Sequence, residues 1–234
     1  SVLMLFSFFS IFFSYNLVFL RNRNINFFYE DLHLIVYLTI IILIFLLFFS
    51  FNKEFSVNFL AIMTSMSNIG FSLKTDQTNM SLVFLILVII GGSFFSTSSG
   101  LRFVKIYSLF KYSINQILSF SKPKNVFMNK LIFTNINFDF NEINKYFLTI
   151  IIFIMSLFIF SSILSISGIS FENSFKLSIL TLMNTVNSSI YGLTDFNFNN
   201  LHFLTKYCFI LFMIIGRIEL LTILLILKKF LFKN

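Results

Sequence analysis

Two stretches decide how this chain is read: Phe55–Leu73, FSVNFLAIMTSMSNIGFSL, and Leu177–Thr194, LSILTLMNTVNSSIYGLT. Each is uncharged, begins apolar, and turns polar in its second half, where Ser, Thr and Asn crowd together. A lipid-facing helix does not spend half its length on amides and hydroxyls, because hydrocarbon offers them no partner. A re-entrant segment lining a water-filled cavity does. The pattern predicts a short helix of about a dozen residues followed by an extended polar strand, twice.

The surrounding sequence places these stretches in a membrane. The chain has 234 residues, of which 57% are hydrophobic and 11% charged, and its mean hydropathy is +0.91. Soluble domains average about 45–50% apolar and about 25% charged. A soluble fold of this size has no room for that much apolar surface, and disorder needs the opposite balance. One Cys excludes a disulfide scaffold or an intrachain thiolate cluster, and one Pro with seven Gly excludes a linker-rich or collagen-like chain. Thirty-eight Phe and no Trp read as AT-biased codon usage, not as an aromatic cofactor site. Five stretches suit crossings of about 20 residues: Ser1–Leu20, Leu34–Phe51, Met80–Leu101, Tyr146–Phe171 and Tyr207–Leu227.

Charge selects the topology. The formal net charge is +8, and its distribution reads as a cytoplasmic Lys/Arg excess, with no need of nucleic acid. Arg102, Lys105, Lys111, Lys122, Lys124, Lys130 and Lys145 face only Asp139 and Glu142 in one segment. Arg21 and Arg23 precede the second span, and Lys228, Lys229 and Lys233 follow the last. If both polar stretches are re-entrant, all three basic clusters share one side. Lys53, Lys74, Lys176 and Lys206 then share the other, balanced by Glu54, Asp76, Glu172 and Asp195.

The order helix, re-entrant loop, helix occurs twice. Glu54 opens the first loop and Glu172 the second; Asn68 pairs with Asn187, and Asp76 with Asp195. VIIGG at Val88–Gly92 is echoed by MIIGR at Met213–Arg217. Two such units are the building block of pseudo-fourfold cation pores. The expected fold is therefore an all-α polytopic membrane protein with two helix–pore loop–helix repeats and one preceding transmembrane helix. Its units are 1–20, the last helix of an earlier repeat; 32–112, one repeat; 113–140, a cytoplasmic linker; and 141–231, the next repeat.

SNIGF at Ser67–Phe71, followed by IIGGSFFSTSSGLRFVK at Ile89–Lys105, resembles the third repeat of the TrkH/KtrB potassium transporters. MIIGRIELLTILLILKKF at Met213–Phe230 resembles their fourth. The resemblance implies that the chain is the C-terminal half of a K⁺-conducting subunit of the bacterial cytoplasmic membrane. It implies three partners: a missing N-terminal half with two further repeats, a second copy in a homodimer, and a cytoplasmic nucleotide-binding regulatory subunit. Membrane lipid would surround it, and K⁺ is the transported ion, with no other cofactor.

On this reading the selectivity filter comprises Asn68, Ile69, Gly70 and Phe71 in the first loop and Asn187, Ser188, Ser189 and Ile190 in the second. Backbone carbonyls of Asn68, Ile69 and Gly70 would replace the ion's hydration shell, and Gly permits the backbone this needs. The alternative for Gly70 is an ordinary turn glycine. Ser189 stands where the family has Gly; either Gly192 takes that role in a shifted register, or this arm is degenerate and selectivity is relaxed. Gly91, Gly92, Ser96, Thr97, Ser98 and Gly100 interrupt an apolar span where the family has an unwound gating loop; close helix contacts through small residues are the alternative. Arg217 and Glu219 are mid-span charges. The resemblance puts Arg217 in the pore as part of the gate, against a structural ion pair with another helix. His33 and His202 lie near span ends, and Cys208 reads as inert.

No phosphate cradle, nucleophile with a base, or metal-ligand cluster is present in the sequence, so an enzyme is not expected. Three other readings compete: a two-loop channel subunit that pairs into a four-loop pore, a hydrophobic respiratory-complex subunit, and a non-functional fragment.

Overall fold

The computed structural model describes residues 4, 35–43, 55–71, 81–92, 100–121, 140–193, 198 and 201–217. Residues 35–43 are helical, within the expected second span. The elements that follow are α1 (Phe55–Met66), α2 (Ser81–Ile89), β1 (Ile90–Gly91), β2 (Leu101–Arg102), α3 (Phe103–Ser121), α4 (Phe140–Ile166), α5 (Phe171–Leu182), a 3-10 turn (Ser189–Tyr191) and α6 (Phe203–Arg217). The first polar stretch forms a 12-residue helix followed by non-helical chain, as its patterning predicts. Of the second, only residues 177–182 are α-helical, as the end of α5, and its tail carries a 3-10 turn where an extended strand is expected.

Among the described residues, one helix is long and apolar enough to cross a membrane. It is Ile143–Ile166, 24 residues within α4, or about 36 Å at 1.5 Å per residue. The expected crossing Met80–Leu101 is not one helix. Helix α2 ends at Ile89 after nine residues, and helix resumes at Phe103. Helix α3 continues to Ser121, so the expected repeat boundary at 112 falls inside it. The expected span Tyr146–Phe171 also ends early. Ser167 donates to the Ile163 and Leu164 carbonyls at 3.3 and 3.1 Å. Gly168 then turns the chain at φ +91°, a left-handed stop that suits glycine. Helix α5 therefore starts at Phe171, six residues before the polar stretch was read to begin. Ser1–Leu20, apart from Met4, and Glu219 lie outside the described residues.

Helix α5 packs between α4 and α6 and also against α2, while α1 packs against α2. The core lies where these meet. Phe160, fully buried, stacks on Phe212 at 4.3 Å and meets Phe209 edge-on at 5.1 Å. Leu164, Leu177, Leu182, Val88 and Ile190 fill the space around them. The polar halves of α1 and α5 are buried at little cost because their hydroxyls bond within their own helix. Thr64 and Ser65 donate to Ala61 O at 3.0 and 2.8 Å, and Thr181 donates to Leu177 O at 2.7 Å. Such back-bonding satisfies a buried hydroxyl without any tertiary partner.

Candidate pore-loop site

Helices α1 and α5 end in the same way, 116 residues apart. Ser67 N–H donates to Met63 O, Asn68 to Ser65 O and Ile69 to Thr64 O, at 3.1, 3.2 and 3.1 Å. Met183, Asn184 and Thr185 repeat this on Ile179, Thr181 and Leu180, at 2.9, 3.1 and 2.9 Å. Asn68 and Asn184 take φ +57° and +53°. This is a Schellman ending with asparagine at the left-handed position, where Asn is the usual substitute for Gly. It stops each helix and turns the chain into the polar arm.

This geometry corrects the register read from side-chain identity. Asn68 pairs with Asn184, not Asn187, and Gly70 with Val186, not Ser189. The arms are counted from the helix ends, and a lone amide three residues further on is a poor guide to that. Gly70 sits at φ +74°. A Cβ there would lie 2.3 Å from Val186 O and 2.9 Å from Thr185 Cγ2. Glycine is therefore required twice, by the backbone angle and by the second arm's backbone pressed against it. Ser189 carries no left-handed strain; it opens the 3-10 turn, and Gly192 caps that turn at φ +73°, ψ +30°. The left-handed glycine of the second loop thus comes six residues later than Gly70's counterpart. Ile69, Phe71 and Val186 are exposed. Asn187, Ser188 and Ser189 are half-buried and Ile190 is buried.

The second loop is held from behind. Tyr191 is fully buried and donates from Oη to Ser65 Oγ of α1 at 3.4 Å. Lys176, also buried, donates to Glu172 Oε1 at 2.6 Å, and its Nζ lies 3.3 Å from where a Gly192 Cβ would project. The hydrogen bond and charge of Lys176 hold the Glu172 carboxyl below the usual carboxylate range. Burial of Lys176 was not legible in the charge count, which only put it on one face with Lys53, Lys74 and Lys206. Lys53, Lys74, Lys122 and Lys229 lie outside the described residues.

The interrupted span is clasped at its base. Ile90 and Gly91 pair in parallel with Leu101 and Arg102, and Phe103 N–H donates to Gly92 O at 3.3 Å. Gly100 lies at φ +110°, and a Cβ there would meet Gly91 N and Cα at 3.1 Å. Ser96, Thr97 and Ser98 lie outside the described residues. A small cavity of about 40 Å³ joins Gly100, Arg102 and Lys105 to Leu182, Met183 and Gly216, so the base of this loop meets the end of α5 and the last turn of α6.

Arg217 is the last described residue of α6 and is exposed. Its position is set by Gly216, where a Cβ would lie 2.0 Å from Leu182 O, and by Asn184 Nδ2 donating to Met213 O at 3.0 Å. Neither contact was legible in the sequence, although MIIGR marks the glycine. His202 is a helix cap: its Nδ1 accepts from Leu204 N–H at 3.3 Å. Cys208 is half-buried with a free thiol.

No protein-family profile matches the chain, and no curated protein matches it. Among solved structures it is similar to the potassium transporter TrkH from Vibrio parahaemolyticus, with a TM-score of 0.66 and 19% identity. The match covers 86% of this chain and 43% of the transporter, so the chain spans less than half the length of the protein it matches. The likeness at that identity is one of architecture: the chain has a TrkH-like fold.

Proposed function

We propose that this chain forms two of the four arms of a potassium-conducting pore in a multi-pass protein of a bacterial cytoplasmic membrane. The observation that carries this is the repeated ending of α1 and α5. Two pore-helix-like segments stop on identical hydrogen bonds, and their arms meet at Gly70 and Val186. Four such arms around one axis supply the rings of oxygen that replace water around a K⁺ ion. The remaining arms would come from a further segment with two more repeats, and a homodimer and a nucleotide-binding regulatory ring would complete the assembly. The likeness to the TrkH fold supports this reading, and so does the charge asymmetry of the loops. Ile69, Gly70 and Phe71 would line one arm, and Thr185–Ser188 the other, with Asn68 serving as the helix stop.

The test is complementation. The complete gene product should restore growth of a K⁺-uptake-deficient strain at low K⁺, and residues 1–234 alone should not. Rescue by the 234 residues alone would favour a two-loop subunit that pairs with itself. Failure of the complete product to rescue, with normal membrane insertion, would exclude K⁺ uptake.

A further inference from the structure

The second loop contains a buried hydroxyl that packing does not require. Tyr191 is fully buried and is among the largest such side chains in the described residues. The chain uses Phe 38 times and Tyr eight times, and Phe would fill the same space. A buried hydroxyl without a partner is costly, so its presence points to the bond it makes. That bond reaches across 126 residues to Ser65 in α1. Ser65, itself fully buried, donates its own proton to Ala61 O at 2.8 Å. The oxygen of Ser65 is therefore left to accept. The result is a directed chain: Tyr191 O–H to Ser65 O–H to the Ala61 carbonyl in the body of the first pore helix. At 3.4 Å the first link is long, so it adjusts the loop and does not anchor the fold.

Among the described residues, the second arm meets the first repeat both in front and behind. In front, Gly70 meets the Val186 backbone. Behind, Tyr191 meets Ser65. Between them run Asn187 to Ile190, with Ser188 extended at φ −145°, ψ 164°. A segment fixed at both ends by the neighbouring repeat has its oxygens at a fixed distance from that repeat's oxygens. Discrimination between cations by an oxygen cage depends on that spacing and on the stiffness of the cage.

We infer that Tyr191 is a positioning residue that sets cation preference, by tying the second arm to the pore helix of the preceding repeat through Ser65. The inference rests on the proposed pore reading. It is tested in the complete gene product by measuring K⁺ and Na⁺ uptake per membrane-inserted molecule. Tyr191→Phe keeps the ring and removes the bond. The K⁺/Na⁺ uptake ratio should fall about threefold to tenfold, with K⁺ uptake held within about twofold. Ser65→Ala should produce the same fall, and the double variant no more than either alone, because both remove one link. An unchanged ratio in Tyr191→Phe, or additive effects in the double variant, overturns the inference while leaving the pore reading intact. Lost insertion in Tyr191→Phe assigns the hydroxyl to folding and also overturns it. Absence of K⁺ uptake in the unsubstituted protein is the separate failure of the pore reading.

Discussion

Substituting Gly216 by Ala sets two effects of opposite sign against each other. Alanine is the better helix former, by up to about 1 kcal/mol in a helix interior. Judged from α6 alone, Gly216→Ala should stabilise. The tertiary contact reverses this. The new Cβ would lie 2.0 Å from Leu182 O, 2.8 Å from Leu182 C and 3.1 Å from Leu182 Cα. A carbon and a carbonyl oxygen in contact sit about 3.3 Å apart or more, so α6 and the end of α5 must separate by more than 1 Å. Both sides are backbone, and no rotamer can absorb the change. Overpacking of this kind costs about 1–3 kcal/mol. The same movement stretches the bond from Asn184 to Met213 O, 3.0 Å long, worth about another 1 kcal/mol. The net expectation is destabilisation by about 1–3 kcal/mol, together with a displaced Arg217. Thermal unfolding of the detergent-solubilised complete gene product, followed by circular dichroism, should show a lower Tm. Gly168→Ala serves as the comparison. It carries backbone strain at φ +91° but has nothing within 4 Å, so it should cost stability without altering flux. A Tm for Gly216→Ala equal to or above that of the unsubstituted protein would refute the close approach of α5 and α6.

Gly70→Ser combines left-handed strain, about 1–2 kcal/mol, with a clash on Val186 O. It should lower the K⁺/Na⁺ uptake ratio far more than Ser189→Gly, whose backbone is unstrained; equal effects would show that the arms are misassigned. Arg217→Gln removes a permanent positive charge and should raise K⁺ flux several-fold per inserted molecule at little change in ion preference. Lost insertion would instead mark Arg217 as half of a structural ion pair. Glu172, at the start of α5, has its pKa lowered in the folded state by Lys176. Its contribution to stability is therefore present above the unfolded carboxylate value of about 4.3 and is lost as pH falls through the lower folded value. Glu172→Gln should flatten that acid limb in a Tm-against-pH series; an unaltered limb would show that the pair with Lys176 does not persist in solution.

How far the sequence reaches is clearest at the two polar stretches. Apolar-then-polar patterning of Phe55–Leu73 and Leu177–Thr194 is a local property, and it was enough to place α1 and a helix end within each stretch, though not the start of α5 or the 3-10 turn in its tail. Hydroxyl back-bonding explains why: Thr64, Ser65, Ser178 and Thr181 donate to carbonyls three or four residues back, so those protons need no distant acceptor. The break after Ile89 was expected only through the family resemblance; by hydropathy alone Met80–Leu101 reads as one crossing, although Gly91 and Gly92 weaken a helix there.

Register and contact were decided by tertiary structure. Matching Asn68 with Asn187 was reasonable on composition, yet each arm begins where its helix stops, and the stop is a hydrogen-bond pattern shared by Asn68 and Asn184. Lys176 counts as one external charge in a sum of loop lysines, but it is buried, with its ammonium beside Gly192 in the loop that follows α5. Gly216 looks like a helix flaw in MIIGR, and its purpose appears only when Leu182 O arrives beside it. Tyr191 is one aromatic among many until folding brings Ser65 to its hydroxyl. Periodicity and back-bonding act over three or four residues and can be read along the chain. Close approach between residues 34 or 126 apart depends on how the helices pack, and no local pattern encodes it.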